Sequence, residues 1–165
     1  MLPEMALTGY QYLSPASIMP YLEQPRIGLT SLFARSMAKR LSCHVIAGYP
    51  EALPPSSTSG GHDGKQGSEG VSSGVGWNSA MVVDAQGEVV GNYRKTFRFD
   101  TDKHWAREGV FMMRGGGKDF AADDLGDGFR YFDLPEPLGR VALGICMGTH
   151  KAPCCRTKSS LKRQI

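Results

Sequence analysis

Three side chains of this sequence could cooperate in acyl transfer: the carboxylate of Glu4, the ammonium of Lys95 and the thiol of Cys146. A carboxylate can take the thiol proton, the thiolate can attack a carbonyl carbon, and a fixed cation can hold the oxyanion that forms. Each residue also has a plain reading. Glu4 reads as an exposed acid near the start, Lys95 as one of many surface lysines, and Cys146 as a small apolar side chain in a core. Their positions argue for chemistry. In RVALGICMG (140–148), Val141, Ala142 and Leu143 read as the end of a buried strand, Gly144 as a point of close backbone approach, and Cys146 as the residue at the strand's mouth. Lys95 closes the apolar run EVVGNYRK, and Pro3, which cannot donate to a ladder, places Glu4 just past a strand end.

The elements that must position these groups follow from periodicity. Trp77 to Asp84 and Glu88 to Lys95, joined by Ala85-Gln86-Gly87, predict a β-hairpin. Cys43 to Gly48 predicts a strand buried on both faces, with Cys43 and His44 read as core packing, because neighbours on a strand point to opposite faces. Leu29 to Leu41 predicts an amphipathic helix lying on the sheet through Leu32, Phe33, Met37 and Leu41. Ser14 to Glu23 opens like a helix on Ser-Pro, and Pro25 stops it. Thr96 to Gly109 predicts a loop with a short helical piece. Phe129 to Leu134 and Val141 to Cys146 predict the last two strands, and Arg114 to Gly128 a loop. Pro54 to Gly76 is Gly- and Ser-rich, cannot bury apolar surface, and predicts a flexible insertion that leaves His62 solvated. The order is that of an α/β fold with a mixed sheet.

At 165 residues the chain is long enough for one domain with a substantial core. It has no apolar run long enough to span a bilayer and no secretory start, so the expected location is the cytoplasm. Four cysteines, two of them adjacent, fit a reducing compartment. The net charge of +3 comes from the end: five basic and no acidic residues follow Gly148, and residues 1–148 carry about −2. That excludes a nucleic-acid reading based on a basic fold, and no membrane partner is expected. Lys158 to Arg163 reads as a solvated terminus or as a basic address, which would add the nucleus as a location. Cys146, His150, Cys154 and Cys155 have spacings that zinc could use, but the adjacency of Cys154 and Cys155 argues against a metal.

In chain order, LPEMALTGY, YRKT and GICM resemble the segments around the catalytic glutamate, lysine and cysteine of the nitrilase superfamily, the carbon-nitrogen hydrolases. The fuller wording LPEMALTGY, GNYRKTFRFDTDKHWAREG and LGICM is most similar to the fungal protein N-terminal amidases. The resemblance implies a partial αββα sandwich and removal of ammonia from the side chain of an N-terminal Asn or Gln through a Cys thioester, as in N-degron processing. It implies Glu4 as general base and then acid, Lys95 as the oxyanion cation, Cys146 as nucleophile, the Met147 amide in the oxyanion hole, and Glu108 orienting the lysine. No cofactor or metal is required, and the implied partner is a protein or peptide N-terminus. Asp100, Asp102 and Trp105 read either as groups that recognise a substrate ammonium or as solvated loop residues.

The resemblance stops after Met147. Residues 149–165 read as a divergent basic tail behind a partial hydrolase domain of residues 1–148, and the strand and helix expected before Leu2 are absent. The expectation is a chain truncated at both ends. Two alternatives to the N-terminal amidase stay open at this point: an inactive fragment, and an amidase acting on small ω-amides or carbamoyl compounds. Oligomeric state is not readable from these residues.

Overall fold

The computed structural model describes residues 1–54, 74–109 and 131–146. The centre is a four-stranded mixed sheet. Strand β1 (Val45–Ala52) pairs antiparallel with β2 (Gly76–Val83), β2 pairs antiparallel with β3 (Val89–Arg94), and β4 (Ala106–Arg107) runs parallel to the start of β2. β5 (Tyr131–Asp133) and β6 (Arg140–Ala142) form a separate antiparallel pair. Helix α1 (Pro15–Ile18) continues into a 3-10 turn at Met19–Tyr21, and α2 (Leu29–Leu41) covers one face of the sheet.

The β2–β3 hairpin forms where the alternation predicts it. Its turn closes because the Asp84 carboxylate accepts from the amides of Gln86 and Glu88 at 3.0 and 2.8 Å, while Gly87 takes a positive φ of +80. Any side chain at position 87 would carry that conformation at a cost and meet Lys39. The helix spans the predicted residues, but of the predicted stripe only Met37 packs on the sheet. Thr30, Ser31, Ala34 and Ala38 are buried, with Ala34 and Ala38 against the sheet beside Met37, whereas Leu32 and Phe33 are 56% and 39% exposed and Leu41 is 59% exposed. Small Ala34 and Ala38 let the helix sit close on Val45, Ala47, Tyr49, Met81 and Val83, and Leu32, Phe33 and Leu41 are left outside.

Several expected boundaries move. The strand expected at Cys43 starts at Val45, and Cys43 is exposed rather than packed in the core. The helix expected over Ser14 to Glu23 ends at Ile18 as α-helix, since Pro20 follows within one turn. The last strand ends at Ala142, not Cys146. It is not fully buried, and among the described residues β6 pairs only with β5. No strand precedes Glu4, which lies in a turn running from residue 4 to residue 8. Residues 55–73 of the expected insertion, the Arg114 to Gly128 loop and the tail from Met147 lie outside the described residues. Among the described residues no helix is long and apolar enough to cross a membrane.

Alternation along the strands gives the sheet two chemically different faces. Val45, Ala47, Tyr49, Met81 and Val83 meet α2. Ala80, Val82 and Tyr93 point the other way and pack with Leu143 and Ile145. By the same alternation, Asn78 and Lys95 belong to the second face.

Candidate active site

Lys95 follows the last residue of β3 and is 1% exposed. Its backbone is held on both sides: its amide donates to the Asn78 carbonyl at 2.8 Å, and its carbonyl accepts from Gly109 at 2.9 Å. Its Nζ donates to Glu4 Oε1 and to Asp102 Oδ2, each at 2.7 Å. A lysine ammonium has three N–H donors, so one remains for a ligand. The Tyr10 ring lies 5.7 Å from Nζ. Burial works to lower the Lys95 pKa, but the hydrogen bonds and charges of Asp102 and Glu4 outweigh it and hold the ammonium above the ordinary lysine range. Lys95 is therefore held as an ammonium between two carboxylates.

Glu4 reaches this point because β1 has no side chain at Gly48. A Cβ there would stand 2.9 Å from the Met5 amide nitrogen and 3.0 Å from Glu4 Cα, so the segment 3–5 lies directly against the strand. Leu2 extends the contact by donating to the Ile46 carbonyl at 2.8 Å. Met5, at φ +49 and 1% exposed, then anchors the turn in a third apolar cluster with Tyr12, Ile18, Trp105 and Ala106. The turn thus aims an acid at a lysine from the opposite side of the hairpin.

Asp102 completes the group. It opens the 3-10 turn Asp102–His104 and is 1% exposed. Its Oδ2 accepts from Lys95 and from the Phe99 amide at 2.9 Å, and its Oδ1 from Asn78 Nδ2 at 3.0 Å. Asn78 Nδ2 also donates to Glu4 Oε1 at 2.6 Å. Two carboxylates, one ammonium and one primary amide therefore form a closed set.

On the opposite face a second buried carboxylate braces the same strands. Glu51, fully buried, accepts from Ser79 Oγ at 2.6 Å, Asn92 Nδ2 at 2.9 Å and Arg94 Nε at 3.0 Å. It links β1, β2 and β3 just before Lys95. Arg94 in turn stacks on Trp77 at 3.8 Å.

The segment leading to Cys146 packs on the Lys95 face of the sheet. Leu143 and Ile145 are seated against Ala80, Val82 and Tyr93, and Cys146 follows them, exposed and at φ +47. A left-handed conformation costs a non-glycine residue about 1–2 kcal/mol, so this turn is held by the packing that leads into it.

Three expectations about the loop, for Glu108, Asp102 and Trp105, need correction. Glu108 does not orient Lys95: its carboxylate is 52% exposed and lies 3.4 Å from Arg98 Nε, while Asp102 holds the lysine. Asp102 is buried and committed to Lys95, Asn78 and Phe99, so it does not face a substrate ammonium. Trp105 is buried among Met5, Tyr12 and Ile18 and cannot offer its ring. Asp100 is exposed and pairs with Lys103 at 2.7 Å, which holds its carboxyl below the usual range. Met147 lies outside the described residues.

Asn78 is the member of the set that sequence reasoning missed. The signal was present: a polar amide inside the apolar run WNSAMVV, at the parity that shares a face with Lys95.

The carbon-nitrogen hydrolase family model matches residues 1–161. The protein N-terminal amidase of Saccharomyces cerevisiae is 37% identical over 103 residues, which is 62% of this chain and 19% of that protein. The protein N-terminal amidase of Schizosaccharomyces pombe is 30% identical over 151 residues, 88% of this chain and 40% of that protein. A crystal structure of N-terminal amidase superposes with a TM-score of 0.54 at 29% identity, covering 89% of this chain and 30% of that one. A crystal structure of N-terminal amidase with an Asn-Glu peptide gives 0.55 at 28% identity, covering 92% and 32%. The chain thus spans less than half the length of the curated relatives it matches.

Proposed function

Because the chain belongs to the carbon-nitrogen hydrolase family, we propose that its Glu4, Lys95 and Cys146 hydrolyse the side-chain amide of an N-terminal Asn or Gln. The observation that carries this reading is the ion pair of buried Lys95 with the partly exposed Glu4, 2.7 Å apart, on the sheet face where Leu143 and Ile145 seat the segment leading to Cys146. Solved N-terminal amidases with Asn-Glu and Gln-Val peptides, similar to this chain at 28% identity, support the substrate class.

The steps balance as follows. Glu4 takes the Cys146 proton, and the thiolate forms a bond to the amide carbon as the carbonyl π electrons move to oxygen. The remaining Lys95 N–H meets that oxyanion, together with the backbone amide assigned to Met147. Glu4 returns the proton to the nitrogen, the C–N bond breaks, and ammonia leaves a thioester. Water then gives a proton to Glu4 and attacks the thioester carbon, the C–S bond breaks, and the thiol recovers its proton. The product carries Asp or Glu at its N-terminus.

The deciding experiment incubates the purified chain, beside Cys146→Ala, with peptides beginning in Asn or Gln and follows the amide-to-acid mass change. Conversion by the parent alone is expected. Equal conversion by Cys146→Ala, or a folded parent that converts only free ω-amides or carbamoyl compounds, would overturn the reading.

A further inference from the structure

Asn78 is the one primary amide in β2, and burial leaves it little choice of partners. It is 1% exposed, on a strand whose neighbouring residues on that face are Ala80 and Val82. Its two N–H groups go to two different carboxylates, Glu4 Oε1 at 2.6 Å and Asp102 Oδ1 at 3.0 Å. Lys95 joins the same two groups at 2.7 Å each. The amide orientation is dictated by chemistry, since the flipped form would aim Oδ1 at two acceptors. Asn78 Oδ1 is buried without a partner among the described residues, a desolvation cost that the two bonds to charged acceptors offset. The outcome at Glu4 is asymmetric: Oε1 holds two donors, and Oε2 holds none among the described residues.

The geometry points to Asn78 as a positioning residue: with Lys95 it locks Glu4 through Oε1, making Oε2 the oxygen that takes the Cys146 proton and returns it to the leaving nitrogen. This assignment rests on Glu4 acting as the base, and it names which atom does so. Two donors from different strands stop the carboxylate from rotating, because rotation would break both bonds at once. A neutral amide also spans Glu4 and Asp102 without adding a charge that would compete with Lys95. A serine at this place has one hydroxyl proton and can serve only one of the two acids.

The test compares the parent with Asn78→Ala and Asn78→Ser in turnover of an N-terminal Asn peptide, with melting temperatures measured alongside. Loss of the lock is expected to lower kcat of Asn78→Ala by about 10²-fold, the effect of a small misplacement at the reacting atoms, with KM within about twofold. Asn78→Ser is expected to recover part of that loss. A kcat within about twofold of the parent, or a loss of kcat that simply follows the melting temperature in both variants, would overturn the assignment.

NMR provides a readout that needs neither turnover nor an Asn78 variant. In the parent, both Asn78 side-chain amide protons should exchange slowly with solvent, and Glu4→Gln and Asp102→Asn should each shift a different one. Rapid exchange of both protons, with no response to either substitution, would overturn the lock. If the parent turns over no N-terminal amide, the functional reading fails, and the NMR result decides the Asn78 arrangement by itself.

Discussion

Lys95 Nζ and Glu4 Oε1 meet at 2.7 Å across 91 residues of sequence. The contact is made by two elements that share no hydrogen-bonded ladder: Glu4 rests on β1 over Gly48, and Lys95 directly follows β3 on the far side of β2. Asp102 and Asn78 close the set from the 3-10 turn and from β2.

Lys95→Met removes the only ammonium, among the described residues, that is bonded to two carboxylates, one of which is buried. Stripping one partner from a buried ion pair costs about 3–5 kcal/mol, and the oxyanion loses its cation as well. The expected result is a lower denaturant midpoint together with a loss of turnover of about 10²-fold or more. The pH dependence has a defined sign. A lysine raised above 10.5 on folding contributes stability that is complete at neutral pH and is lost as pH rises through the folded value. Parent and variant unfolding curves should therefore converge only in strong alkali, and convergence near neutrality would refute the pairing.

Asp102→Asn and Glu108→Gln separate two candidates for the carboxylate that orients Lys95. Asp102 binds the ammonium at 2.7 Å, whereas Glu108 faces Arg98 from a half-exposed position. Asp102→Asn should reduce kcat by about tenfold or more, the scale of losing one charge-assisted bond of roughly 1.5–3 kcal/mol. Glu108→Gln should stay within about twofold, since exposed pairs contribute little. The reverse ranking in steady-state kinetics would restore Glu108.

Gly48→Ala tests how Glu4 is delivered. The new methyl would stand 2.9 and 3.0 Å from backbone atoms of Met5 and Glu4, so the turn must move. A shift of about 1 Å at a catalytic group can cost about 10²-fold in rate. Activity should therefore fall while the far-ultraviolet circular dichroism of the sheet is retained. Parent-like kcat would show that the turn accommodates the methyl freely.

Ala38→Leu and Leu32→Ser test which stripe of α2 meets the sheet. Ala38 is fully buried against the strand face, and Leu32 is 56% exposed. Overpacking at position 38 should cost about 1–3 kcal/mol in urea unfolding. Leu32→Ser should stay within about 0.5 kcal/mol. Equal effects would mean that both stripes are covered.

The sequence by itself determined the local elements and the chemistry-bearing residues. The alternation around Ala85-Gln86-Gly87 specified the hairpin, since a period of two and a Gly-bearing turn depend only on near neighbours. The three motifs around Glu4, Lys95 and Cys146 named the family for the same reason: side-chain type is local information. What the tertiary structure decided was partnership. Asp102 and Glu108 are two acids in one loop, and only the fold of the 3-10 turn places the first against Lys95 and leaves the second in solvent. Asn78 reads as one polar residue in an apolar strand until β1, β2 and β3 align and set its amide between two carboxylates. Leu32 and Phe33 read as the buried stripe of α2 until packing distance favours Ala34 and Ala38. In each case the deciding energy is a contact between residues distant in sequence, or a choice between near neighbours that only such contacts can make. Local periodicity carries no record of it.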